Sequence, residues 1–141
     1  MCFKLCVMNE KTVRWKQRFQ NFEKAFQQLK EAVERFSELT DLEKEGMIQR
    51  FEFTFELSWK TLKDFLESQN VEAKFPRDVI KEAFHYEIIE NGEVWLEMLE
   101  IRNLMSHTYD EETFKRTANE IFNRFYIEIS RLYQYLKEKS A

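Results

Sequence analysis

Glycine and proline are nearly missing. Two Gly and one Pro in 141 residues leave too little turn chemistry for the repeated reversals of a many-stranded protein, and they favour helices joined by a few breaks. Cysteine is confined to Cys2 and Cys6, with no histidine close enough to complete a zinc-ligand spacing. The pair therefore reads as reduced thiols of a cytoplasmic protein, and no metal or other cofactor is expected. Histidine is equally scarce: His85 and His107 are the whole supply, so any imidazole chemistry must use one of them. The chain also lacks an apolar run long enough for a membrane span, and its opening MCFKLCVMNEKTVRW is too short and too polar after Met8 for a signal peptide. Nor is there an excess of basic charge. A net charge of −4 works against general binding to a polyanion, so any contact with RNA must come from a local patch.

What the chain does have is aromatic side chains, among them fourteen Phe, set within 34% charged residues. That mixture belongs to amphipathic helices with a real core rather than to a disordered chain. The length fits one domain, expected over 11–139, preceded by a flexible extension over 1–10.

From about Lys11 to Leu39 the apolar positions Phe19, Phe22, Phe26, Leu29, Val33 and Phe36 recur at alternating gaps, which places them on one stripe of a long helix. Thr40 or Asp41 caps a second helix with a core face of Ile48, Phe51, Phe55, Trp59, Leu62 and Leu66, widened by Phe53, Leu57 and Phe65. Pro76 suits the first turn of a short third helix running to about Ile89, because proline there loses no needed N–H bond. Asn91-Gly92 breaks the chain. A fourth helix then carries Val94, Trp95, Met98, Leu99 and Ile101 inward, and Asp110 caps a last one bearing Phe114, Ala118, Ile121, Phe122, Phe125, Ile129, Leu132 and Leu136. The expected fold is all-α, an antiparallel bundle of four long helices plus one short helix.

Few side chains remain as candidates for chemistry. His85, in EAFHYEII, has no polar pattern around it and reads as a surface or partly packed histidine. His107 has Arg102 five residues before it and a helix break after it. Five residues on a continuous helix turn through about 140°, so the two side chains can share a cleft only if the helix ends between them. Ser106-His107-Thr108-Tyr109-Asp110 supplies such an end. Arg102 would then clamp an anion while His107 moved a proton. An Arg and a His at a helix C-terminus also complement its dipole, and on physical grounds alone that structural reading stands first. Glu52 and Glu56 share one helical face but lack a histidine partner for a metal. Lys60 continues their face, so an ion-pair ladder is expected. The basic run Lys11, Arg14, Lys16 and Arg18 reads as a solvated face.

The segment Arg102-Asn103-Leu104-Met105-Ser106-His107-Thr108-Tyr109 resembles the Arg-x4-His-x-Tyr motif of HepT-like members of the HEPN superfamily. Two further stretches resemble the same subfamily, Arg50 to Lys60 and Asn91 to Leu99, so that the likeness covers most of residues 12–138. It implies a helical bundle that forms homodimers around a shared cleft and cleaves RNA without metal. Arg102 and His107 would be catalytic, with Asn103 in a supporting role that competes with a plain helix-capping one. The resemblance also implies a cognate minimal nucleotidyltransferase as partner, which silences the toxin by adding AMP to Tyr109. A different use of the same fold is a non-catalytic subunit that binds substrate or nucleotide for the nucleotidyltransferase. A bundle serving only oligomerisation is the third possibility.

Overall fold

The computed structural model describes residues 2–107 and 110–141, with side chains from Glu10 onward. Its helices are α1 (Cys2–Glu34), α2 (Asp41–Ser68), α3 (Pro76–His85), α4 (Gly92–Met105), α5 (Glu111–Glu120) and α6 (Tyr126–Ser140). A wider π-type turn over Ile121–Phe125 joins α5 to α6 in one rod. The expected bundle of four long helices and one short one is thus present, with the last long helix interrupted by this turn.

Antiparallel packing of α1 on α2 is read directly from their side-chain bonds. Arg50 donates to the Gln28 carbonyl at 2.7 Å and the Thr54 hydroxyl to that of Ala25 at 3.2 Å, while Arg18 pairs with Asp64 at 2.6 Å and Arg14 with Glu67 at 3.6 Å. Partners on α2 rise in number as those on α1 fall. Of the basic run, Arg18 thus ties α1 to the buried Asp64 on α2, while Arg14 stays mostly exposed beside Glu67. On the other side of α1, Phe19, Phe22 and Phe26 all contact the ring of Tyr133 on α6. The core continues through Phe51 against Phe125 and Phe55 against Trp95, all four fully buried. Aromatic pairs of this kind add specific geometry to the burial of large apolar area.

Local chemistry sets the breaks. Thr40 is the N-cap of α2 in a reciprocal capping box with Glu43: the Glu43 N–H donates to the Thr40 hydroxyl and the Thr40 N–H to the Glu43 carboxylate. Pro76 occupies the first turn of α3, and the Asp110 carboxylate accepts from the Glu112 N–H at the start of α5. With so little glycine, the helix ends use other residues: Asn70 after α2 and Glu87 after α3 adopt left-handed φ values of 65° and 59°. The following N–H groups, of Val71 and Ile88, reach back to the Leu66 and Ala83 carbonyls at 2.9 Å.

Several boundaries and faces differ from expectation. α1 ends at Glu34 and passes into a 3-10 turn, Phe36–Glu38, before Leu39. α3 stops at His85 rather than Ile89, because Glu87 turns the chain, and Ile88 and Ile89 are buried from the loop. Phe53 is 62% exposed: lying two residues from both Phe51 and Phe55, it falls on the opposite side of the helix. Phe122, next to buried Ile121, turns outward and stacks on Phe36 with centroids 4.4 Å apart. No helix among the described residues is long and apolar enough to cross a membrane.

Candidate functional site at the end of α4

The site begins with the termination of α4. Its core face, Trp95, Met98 and Leu99, is buried, and that fixes the rotation of the helix and the direction of its last turn. Arg102 lies in that turn, where a cation complements the helix dipole. The helix ends at Met105, and the His107 N–H closes the final turn by donating to the Leu104 carbonyl at 3.0 Å. The regular helix thus ends before His107, but Ser106 keeps helical dihedrals (φ −73°, ψ −13°), so the turn continues up to His107. The His107 side chain is exposed and has no side-chain partner among the described residues.

Arg102 is held from two directions. Its Nε and Nη2 groups meet Oε1 of Glu56 on α2, and its Nη1 donates to Oδ1 of Asn103 at 2.9 Å. Both Arg102 and Glu56 are about 30% exposed at the side chain, partly desolvated yet open on one side. Trp59 donates its indole N–H to the other Glu56 oxygen at 3.1 Å. The expected ladder from Glu56 to Lys60 is thus replaced by a pair across two helices. An arginine fork engages a carboxylate with more than one N–H, which a lysine one turn along the same helix cannot match.

Glu52, one turn before Glu56, has its carboxyl pushed above the ordinary range, first by burial and second by the charge of Glu56. Among the described residues no three His, Cys, Asp or Glu side chains gather as a metal-binding group. Asn103 is exposed. Its amide oxygen serves Arg102, while its main-chain carbonyl accepts from the Ser106 hydroxyl at 2.7 Å, so the helix end is capped by Ser106 rather than by the Asn103 side chain. His85 is exposed against Tyr86, in line with a surface histidine. Tyr109, expected as a modification site, lies with Thr108 outside the described residues. A cavity of about 570 Å³ lined by Trp15, Lys16, Phe65, Asn70, Tyr86 and Tyr135 lies further along α2 and does not include Arg102 or His107.

The helical bundle is the fold that the resemblance to HepT-like proteins implied. The chain belongs to the nucleotidyltransferase substrate binding protein like family, whose profile matches residues 17–138. It is 33% identical over 100 residues to a Haemophilus influenzae protein named "Probable ribonuclease HepT", covering 67% of this chain and 68% of that one. Among solved structures, a Thermus thermophilus protein shares 29% identity and a TM-score of 0.70, covering 84% of this chain and 98% of that one. A second, from Haemophilus influenzae, is described as revealing the fold of a substrate binding domain of a nucleotidyltransferase. It shares 27% identity and a TM-score of 0.60, covering 89% of this chain and 98% of that one.

Proposed function

We propose that this chain is a metal-independent endoribonuclease of HEPN type, the toxin half of a toxin–antitoxin pair, acting as a homodimer in the cytoplasm. Its antitoxin is a cognate minimal nucleotidyltransferase that silences it by adding AMP to Tyr109. The observation that carries this reading is Arg102, held by Glu56 and Asn103 yet open on one side in the last turn of α4, with the exposed His107 just beyond it, and the relative named as a ribonuclease supports it. In the proposed reaction, one His107 takes the proton of a ribose 2′-hydroxyl as that oxygen attacks phosphorus. The 5′-oxygen leaves with a proton from the His107 of the second copy, giving a cyclic phosphate and a free 5′-hydroxyl. Arg102 donates to the phosphoryl oxygens as negative charge builds on them. One histidine in the motif of each chain gives dimerisation a chemical reason, since a symmetric pair brings two. AMP on Tyr109 would place charge and bulk beside the cleft and repel RNA.

The test is a mixed dimer. Arg102→Ala and His107→Ala homodimers should each lose roughly 100-fold or more of RNA cleavage, and a dimer of one wild-type and one His107→Ala subunit should fall nearly as far, since its shared cleft holds one of the two histidines the reaction uses. Half of the wild-type activity in verified mixed dimers, as from two independent sites, would rule out the shared cleft.

A second reading, a non-catalytic subunit that binds substrate for a nucleotidyltransferase, has one observation in its favour: Glu56 already neutralises Arg102, which suits a ligand-holding site as well as a catalytic one. In that case Arg102→Ala weakens ligand binding, with no nuclease activity to lose.

A further inference from the structure

The guanidinium of Arg102 has two edges that can each grip an anion, one formed by Nε and Nη2 and the other by Nη1 and Nη2. Glu56 occupies the first edge through its Oε1 atom. Asn103 takes one proton of Nη1 at 2.9 Å, which leaves Nη1 a second proton, as Nη2 keeps one beyond its contact with Glu56. Glu56 is itself fixed by the indole N–H of Trp59 at 3.1 Å, and Trp59 is 8% exposed, so the carboxylate is anchored to the core through a buried ring. The chain of contacts runs from core to Trp59, Glu56, Arg102 and then solvent. A flexible arginine near a helix end would otherwise sample many rotamers, and ordering such a side chain at the moment of binding is costly.

We propose that Glu56 is a positioning residue for Arg102: by holding the Nε/Nη2 edge, it aims the Nη1/Nη2 edge outward to receive a phosphodiester. The identity of that phosphodiester as RNA rests on the ribonuclease reading above. Two consequences separate this role from simple ion pairing. Glu56 should matter only when Arg102 is present, and the cost of removing it should fall on kcat, because misaimed donors fail where charge develops in the transition state. The negative charge of Glu56 should also lower non-selective attraction of polyanions by Arg102 while leaving its hydrogen bonds in place.

The test uses the full-length chain as wild type, Glu56→Gln, Trp59→Phe, Arg102→Ala and the Glu56→Gln/Arg102→Ala double variant. Each is checked for folding by its melting transition. Cleavage of a structured RNA and binding of a 2′-O-methyl RNA that cannot be cleaved are measured in parallel. Glu56→Gln keeps the shape of the side chain and should lower kcat roughly 10- to 100-fold with a smaller change in KM. Trp59→Phe should have a weaker effect of the same kind, and Glu56→Gln should have no further effect in the Arg102→Ala background. Cleavage by wild type with Glu56→Gln equally active, or with losses that multiply in the double variant, overturns the positioning role and leaves the ribonuclease reading standing. Binding without cleavage by wild type, weakened by Glu56→Gln only when Arg102 is present, supports the positioning role and overturns the ribonuclease reading. A wild type that neither cleaves nor binds RNA overturns both.

Discussion

Glu52 and Glu56 stand one helical turn apart on α2, yet only Glu56 pairs with a cation across the bundle. Glu52 is left partly buried beside a like charge, and its carboxyl is pushed above the usual range by burial first and by Glu56 second. The folded state therefore binds the Glu52 proton more tightly than the unfolded chain does. Above the folded pKa the charged form costs stability, and that cost disappears as pH falls through it. Glu52→Gln should accordingly raise the melting temperature at neutral pH, and its advantage over wild type should shrink in acid, as followed by thermal melts across the carboxylate range. At this scale the sequence reveals the candidates but not their partnerships. Arg102, Asn103 and His107 stand out by their spacing, and Glu56 by its distance from Glu52. Pairing Glu56 with Arg102 needs the packing of α2 against α4 across 46 positions, and no local pattern carries that information. The basic run misleads for the same reason, since the partners of Arg14 and Arg18 lie on α2.

Among the elements, helix starts are more legible than helix ends. Thr40, Pro76 and Asp110 each announce a start by chemistry local to the sequence, and all three act as expected. The ends carry no glycine signal, because Asn70 and Glu87 occupy the left-handed positions where glycine is usual. For that reason the sequence pattern carries α3 past His85. The π-type turn at Ile121–Phe125 is hidden as well: the apolar spacing through Ile121 and Phe125 suits a regular helix, and the extra residue shows only in where Phe122 points. Glu87 offers a direct check on the cost of these ends. Its side chain is exposed, and a left-handed backbone is unfavourable for any residue bearing a Cβ. Glu87→Gly should stabilise the protein by roughly 0.5–1 kcal/mol, the gain being reduced by the greater freedom of glycine in the unfolded chain. Chemical denaturation would read it as a higher midpoint with an unchanged slope.

Taken whole, the molecule is a bundle whose core is aromatic, from Trp15 against Phe65 at one end to Phe51 against Phe125 further along. That core fixes α2 and α4 so that the last turn of α4 lies against Glu56 while its histidine stands free in solvent. A single chain thus presents a held arginine and an exposed imidazole. On the proposed reading the second copy supplies the second histidine, and a chain that stayed monomeric at micromolar concentration would count against it. Its net charge of −4 makes the attraction of RNA depend on that local geometry rather than on the overall field.

Cleavage of a structured RNA by the purified chain in EDTA, with wild type compared against folded, dimeric His107→Ala, decides whether this bundle is a metal-independent ribonuclease. Wild type should cleave with or without metal, and the variant should not. Equal cleavage by both proteins, or none by unmodified wild type, would show that His107 carries no such chemistry.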